Sequence, residues 1–156
     1  MLVVSTDKLK KDVWAARSAF LTVIEAETKL LDEMDVVVPV DRIAEFLVYT
    51  HDEAEKQGVY VRSFGHAGDG NLHIYCCSND LEEAEFKRRV KLLMDACYAK
   101  CTEFEGQVSG EHSIGHAKKE YLRESVGDTA YGLMGAIKDV FDPGHILNPG
   151  KVCHTV

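Results

Sequence analysis

The stretch VYVRSFGHAGDGNLHIYCC, residues 59–77, decides the fold. VYVRSFGH followed by NLHIYCC predicts two strands joined by the AGDG turn. Gly68, Asp69, Gly70 and Asn71 supply the positive φ and the short side-chain-to-backbone hydrogen bonds that a turn needs. The turn does not account for His66 just before it and His73 just after it. Closing the hairpin through residues 68–71 sets His66 opposite His73, Phe64 opposite Tyr75 and Arg62 opposite Cys77. Opposed Cβ atoms lie about 4.5–5.5 Å apart, a distance at which two imidazoles can bind one metal ion. Alternation sends Val59, Val61, Leu72, Ile74 and Cys76 to the other face, where helices can cover them.

Upstream, Leu9, Val13, Phe20, Leu21 and Ile24 recur at helical spacing and predict one long leading helix over residues 6–31. MDVVVPV, residues 34–40, predicts a strand. Asp41 opens a helical pattern through Ile43, Ala44, Leu47 and Val48 to about residue 55, ended by Gln57-Gly58. Downstream, Asp80 is the expected cap of a long helix with Val90, Leu93, Met94 and Cys97 inward. Gly106 precedes a brief strand, QVSG. Short and longer helices follow near residues 118–122 and 128–140, and the tail FDPGHILNPGK, residues 141–151, is punctuated by Pro and Gly. The order β-α-β-β-α-β predicts an α+β, ferredoxin-like antiparallel sheet in spatial order 4-1-3-2. Both helices lie on one face, with extra helices at the two ends of the chain.

In that topology the end of strand 2, the start of strand 3 and the end of strand 4 share one edge, and strand 4 runs into Glu111-His112. His66, His73 and Glu111 then form a metal-ligating set with open positions, the mixture used by catalytic zinc, manganese or iron sites. His112 is left free to move protons. Arg17, on the apolar stripe of the leading helix, can clamp a carboxylate. Each residue also has a plainer reading: strand histidines that are merely hydrogen-bonded, a solvated Glu111, a helix-capping His112, an Arg17 whose stem covers apolar surface. Tyr75, Phe64 and Trp14 read as packing aromatics.

At 156 residues the chain suits one domain. Eighteen Lys plus Arg against 26 Asp plus Glu give a net charge of −8, with no basic run interleaved with aromatics, which argues against nucleic-acid partners. Neither a signal peptide nor an apolar run of spanning length is evident, so the expectation is a soluble, cytoplasmic protein without a transmembrane segment. The five cysteines lack paired CxxC spacing and read as small buried hydrophobes rather than disulfides or a structural zinc site.

WAAR at 14–17, DVVVP at 35–39, GHAGDGNLH at 65–73, SGEHSIG at 109–115 and FDPGHILNPGK at 141–151 occur in one order along nearly the whole chain. In this the sequence resembles the C-terminal domain of FAD-linked oxidases of the vanillyl-alcohol oxidase type. Within that type it is similar to the D-2-hydroxyacid dehydrogenases, which include glycolate oxidase flavin subunits and D-lactate dehydrogenases. The resemblance implies that His66, His73 and Glu111 ligate a divalent metal, that His112 removes the hydroxyl proton, that Arg17 holds the substrate carboxylate and that Asn148 lies near the flavin. It implies oxidation of a small (R)-2-hydroxy acid to a 2-oxo acid, with hydride passing to FAD. Residues 1–156 would be the substrate- and metal-binding cap domain, inactive alone. FAD would be bound mainly by an N-terminal FAD-binding domain absent from this chain, and an iron–sulfur electron-transfer subunit is an implied partner. Two positions depart from the pattern: Glu33 stands where relatives often have lysine, and Tyr75 where those acting on a larger diacid often have asparagine. A lactate- or glycolate-sized substrate is therefore expected. The competing readings are a metal-dependent hydrolase using the same His/His/Glu set, and a ferredoxin-like interaction module with incidental histidines.

Overall fold

A computed structural model describes residues 4–153. Chain order is α1 (Asp7–Ser18), α2 (Phe20–Glu27), β1 (Leu30–Val37), a 3-10 turn (Val40–Arg42), α3 (Ile43–Gln57), β2 (Tyr60–His66), β3 (Asn71–Ser78), α4 (Glu83–Glu103) and α5 (Lys119–Phe141). The single leading helix expected from the spacing is two helices that meet at Ala19, and β1 starts at Leu30, four positions before the MDVVVPV run. Leu30 and Leu31 fit a helical period as well as a strand, so spacing alone could not separate them.

The sheet is antiparallel in the order β1-β3-β2. Its β3 is central, paired with a neighbouring strand on each edge, and buried along its whole length. On one face Met34, Val36, Val61, Leu72, Ile74 and Cys76 meet Phe46 of α3 and Val90, Leu93 and Cys97 of α4. Full burial of such a side chain stabilises the fold by about 1.5–3 kcal/mol before entropy is counted. On the other face Ile24 and Leu21 of α2 cover one end, against Tyr75, Cys77, Leu31, Tyr60 and Phe64. The rest of that face is open.

The fold is thus α+β with the expected helix placement, but the expected fourth strand is cut to one pair. Gln107 and Val37 exchange both backbone hydrogen bonds, at 2.7 and 2.9 Å, on the free edge of β1. Beyond it the amides of residues 110–112 turn inward to a buried carboxylate, described below. Among the other expectations, α4 begins at Glu83, not after Asp80; Ser78 Oγ takes the amides of Asp80 and Leu81 in the connecting turn. Helix α5 carries a non-helical Gly127 (φ 77°, ψ 163°), which separates the two helical stretches read from the sequence. Four cysteines are buried and all five are free. Among the described residues, no helix is long and apolar enough to cross a membrane.

The hairpin forms with a register that differs from the expected one by two positions. His66 pairs with Asn71, Phe64 with His73 and Arg62 with Tyr75. The turn therefore holds four residues, 67–70, closed by the Asp69 amide on the His66 carbonyl at 2.9 Å. Gly70 is drawn out of the hairpin ladder, since its carbonyl accepts the Val38 amide at 3.0 Å. Its φ of 74° and a Cβ position only 2.0 Å from the Val38 oxygen both require glycine. A shift of two keeps every side chain on its predicted face, so His66 and His73 become diagonal neighbours instead of opposed ones.

Candidate active site

Strand pairing sets Glu33 beside Tyr75, Asp35 beside His73, and Phe64 on the far side of His73. Directly paired residues share a face, so β1 sends two carboxylates to the open side of the sheet where the histidines stand. His73, on the central strand, is only 4% exposed. Its ring lies 5.8 Å from that of His66 at 79°, and stacks on that of His112 at 4.8 Å and 29°.

Glu111 reaches both hairpin histidines. Its Oε1 is 2.9 Å from His73 Nε2 and 3.4 Å from His66 Nε2. One ligand atom from each of the three lies within 4.8 Å of the other two. A divalent ion about 2.0–2.2 Å from nitrogen and carboxylate ligands holds those atoms about 3–3.5 Å apart, close to the two separations from Glu111 to the histidines. Arg17, from the last turn of α1, places Nη2 3.3 and 3.4 Å from the two ring nitrogens of His66. On the other side of His73, Glu33 Oε1 is 3.1 Å from His112 Nδ1 and 3.5 Å from His73 Nδ1. Glu33 Oε1 and His73 Nδ1 are buried without a hydrogen-bond partner.

Glu111 and His112 are presented by a loop wrapped around Asp35. The Asp35 Oδ2 atom accepts the amides of Gly110, Glu111 and His112 at 3.0, 3.0 and 2.8 Å and the Ser109 hydroxyl at 3.0 Å. Lys118 Nζ completes the set, 3.3 Å from Oδ2 and 2.9 Å from the Asp35 carbonyl. Burial alone would raise the Asp35 carboxyl. The His112 amide, the Lys118 ammonium, the Glu111 amide and the Ser109 hydroxyl outweigh it and hold the group at about 2. Burial likewise draws Lys118 below the ordinary lysine value, against the pull of Asp35. Gly110 is needed for the wrap: a Cβ there would stand 2.5 Å from Asn71 Nδ2 and 2.8 Å from Asp35 Oδ1.

These groups surround a cavity of about 320 Å³ lined in part by Arg17, Glu33, Phe64, His66, Glu111 and His112. The structure thus brings together five of the six residues singled out in the sequence: His66, His73, Glu111, His112 and Arg17. The sixth, Asn148, lies in a different pocket, with Met134, Ile137, Leu147 and Val152. Phe64 stacks on Tyr75 at 5.3 Å and packs as expected, whereas Trp14 is exposed, its ring 5.8 Å from the Arg17 guanidinium carbon. Sequence reading missed Asp35, Lys118 and Ser109, and noted Glu33 only as a departure. The alternation of Met34, Val36 and Val38 with Glu33 and Asp35 is the signal that points those two carboxylates at the histidine face.

Comparison with known proteins gives a consistent picture. The family model described as FAD linked oxidases, C-terminal domain, matches residues 1–152. A D-lactate dehydrogenase of Anaerostipes hadrus is 59% identical over 154 residues, which cover 99% of this chain and 32% of the relative. Glycolate oxidase subunit GlcD of Bacillus subtilis (strain 168) is 33% identical over 152 residues, covering 96% and 32%. A mitochondrial D-lactate dehydrogenase (cytochrome) of Kluyveromyces lactis is 31% identical over 149 residues, covering 92% and 25%. The chain spans about a third of the length of the first two of these relatives.

Proposed function

Because the chain belongs to the FAD-linked oxidases, as their C-terminal domain, we propose that residues 1–156 form the substrate- and metal-binding domain of a flavin-dependent dehydrogenase. Its substrate is a small (R)-2-hydroxy acid of the lactate or glycolate class, and its product the 2-oxo acid. The observation that carries this reading is the convergence of His66, His73 and Glu111 on one point, with His112 stacked on His73 and Arg17 against His66. Relatives named for D-lactate and glycolate oxidation favour it over a hydrolase or an interaction module.

The chain's own residues divide the work. His66 Nε2, His73 Nε2 and Glu111 Oε1 would hold zinc, manganese or iron, which supplies Lewis acidity toward the substrate hydroxyl. FAD, held mainly by an FAD-binding domain outside this chain, supplies the acceptor for the hydride that leaves the α-carbon. Arg17 takes the substrate carboxylate through paired N–H donors; its guanidinium turns from the His66 ring toward the cavity to do so. His112 accepts the hydroxyl proton at Nε2, the nitrogen turned away from Glu33. The Asp35 wrap keeps both Glu111 and His112 in place while this happens. Asn148, on the tail, is assigned to the flavin-facing surface.

An iron–sulfur electron-transfer subunit is the proposed electron acceptor, supported by the naming of the Bacillus subtilis relative as one subunit of an oxidase. Five free cysteines support a reducing compartment, the cytoplasm. The test is His112→Ala in the FAD-loaded enzyme. Metal content should be retained while the rate of flavin reduction by D-lactate or glycolate falls by about 10²–10⁴-fold. Unaltered flavin reduction with both acids overturns the assignment.

A further inference from the structure

The geometry points to Glu33 as a positioning residue that fixes the proton on Nδ1 of both His73 and His112, leaving Nε2 of each ring as its working lone pair. This rests on the reading of His73 as a ligand and His112 as the base. Glu33 Oε1 is the one oxygen that both rings face, at 3.5 and 3.1 Å from their Nδ1 atoms. The two rings stack at 4.8 Å and 29° with both Nδ1 atoms turned to that oxygen, so a single carboxylate oxygen can serve both.

His73 stands between two carboxylates, Glu33 at Nδ1 and Glu111 at Nε2. A neutral imidazole has one N–H to give. If the proton sits on Nε2 it points to Glu111, and Nε2 has no lone pair for a metal. If it sits on Nδ1 it points to Glu33, and Nε2 is a ligand. A 3.5 Å separation is longer than a hydrogen bond, and both atoms of that contact are buried without a partner. A buried acceptor and a buried ring nitrogen facing each other are both satisfied by one proton on Nδ1 and a slight closing of the gap. With a small turn of the His112 ring, whose Nδ1 already lies 3.1 Å away, the same oxygen accepts that proton too, orienting the ring as a carboxylate orients the histidine of other acid–base pairs.

Glu33 is placed rigidly enough to do this. It pairs with Tyr75 across the sheet, and the Tyr75 phenol is raised first by burial and then by the Glu33 carboxylate its hydroxyl faces. The alternative use of Glu33 is as a metal ligand, since Glu33, His73 and His112 also offer one ligand atom each within 4.8 Å of the other two; zinc held that way would bind through ring nitrogens reserved here for protons.

The test uses the protein labelled with 15N-histidine, observed through long-range proton–nitrogen correlations at a pH where both rings are neutral. His73 and His112 are expected to carry their proton on Nδ1, the opposite of the preference of imidazole side chains in water. Glu33→Leu should move His73 to the Nε2–H form and weaken Zn²⁺ binding, measured by calorimetry, by about 10–100-fold. Glu33→Gln keeps an acceptor oxygen in place, so it should retain the tautomers and Zn²⁺ affinity within a few-fold. Three results each overturn the inference: an Nε2–H His73 in the unsubstituted protein, unchanged tautomers in Glu33→Leu, or Zn²⁺ bound through His73 Nδ1. Expected tautomers without Zn²⁺ or Mn²⁺ binding to the unsubstituted protein would uphold the role of Glu33 and remove the metal reading instead.

Discussion

The carboxylate of Asp35 accepts the backbone amide of His112 at 2.8 Å, so a residue of β1 sets the position of a residue 77 places further along the chain. That bond, its two neighbours and the Lys118 contact determine where Glu111 and His112 stand. They also make the site's geometry a matter of fold stability.

Substituting Asp35 by Asn should therefore cost about 3–5 kcal/mol, because it leaves Lys118 as a buried, uncompensated cation. Chemical denaturation measures this. The double variant Asp35→Asn/Lys118→Met should recover part of the loss, and a strictly additive pair would show that the two groups are not coupled.

The same carboxylate sets an acid limit. Its folded-state value of about 2 lies below the ordinary aspartate value of 3.8. A lowered folded value contributes stability that is fully present above the unfolded value and is lost as pH falls from about 4 through about 2. The contribution is roughly 2 kcal/mol. Denaturation midpoints recorded from pH 6 down to pH 2 should fall across that window, and the Asp35→Asn variant should show a shallower decline.

Gly110→Ala places a methyl group against Asn71 and Asp35 without changing any polar group. Overpacking of this kind costs about 1–3 kcal/mol, and the relief available is movement of the loop. Loss of Zn²⁺ or Mn²⁺ affinity greater than the loss of thermal stability is the expected outcome. A variant with ordinary metal affinity would mean that the loop tolerates the shift.

Metal binding should raise the melting temperature of the protein and leave that of His73→Ala unchanged, since only a species bound to the folded state stabilises it. The gain is about 2.7 kcal/mol at a hundredfold excess over Kd. Differential scanning with and without Zn²⁺ or Mn²⁺ decides. For the proposed carboxylate clamp, Arg17→Met in the FAD-loaded enzyme should raise the KM for the hydroxy acid with FAD content unaltered.

Thiol reactivity gives an independent check on the core. Burial pushes the Cys97 and Cys101 thiols up to about 12, and Cys76 and Cys77 are raised as well. Only Cys153 among the five is partly exposed. Alkylation of the native protein should label that one thiol quickly and the other four only after unfolding.

Much of the site was legible before the structure, because a period of two survives errors of register. Placing His66 opposite His73 was off by two positions, yet both rings stayed on the open face and still meet Glu111. What was not legible was β1. Its alternation of Met34 and Val36 with Glu33 and Asp35 is clear once the strand is known to begin at Leu30. In the sequence, Leu30 and Leu31 continue the spacing of the helix before them. The fourth strand was overread for a related reason: QVSG has the composition of a strand, but the Ser109 hydroxyl and the amides of residues 110–112 are claimed by a buried acid that only the folded chain brings near. Asn148 rests on resemblance alone, and the tail that carries it lies in a different pocket.

The two halves of the site are anchored very differently. Helix α1 buries none of its residues, whereas β3 is buried from end to end. Backbone amides around His73 should exchange with solvent only when the whole domain opens, and those around Arg17 through fraying of one helix. The Arg17 side of the cavity can thus yield while His73 beneath it stays fixed.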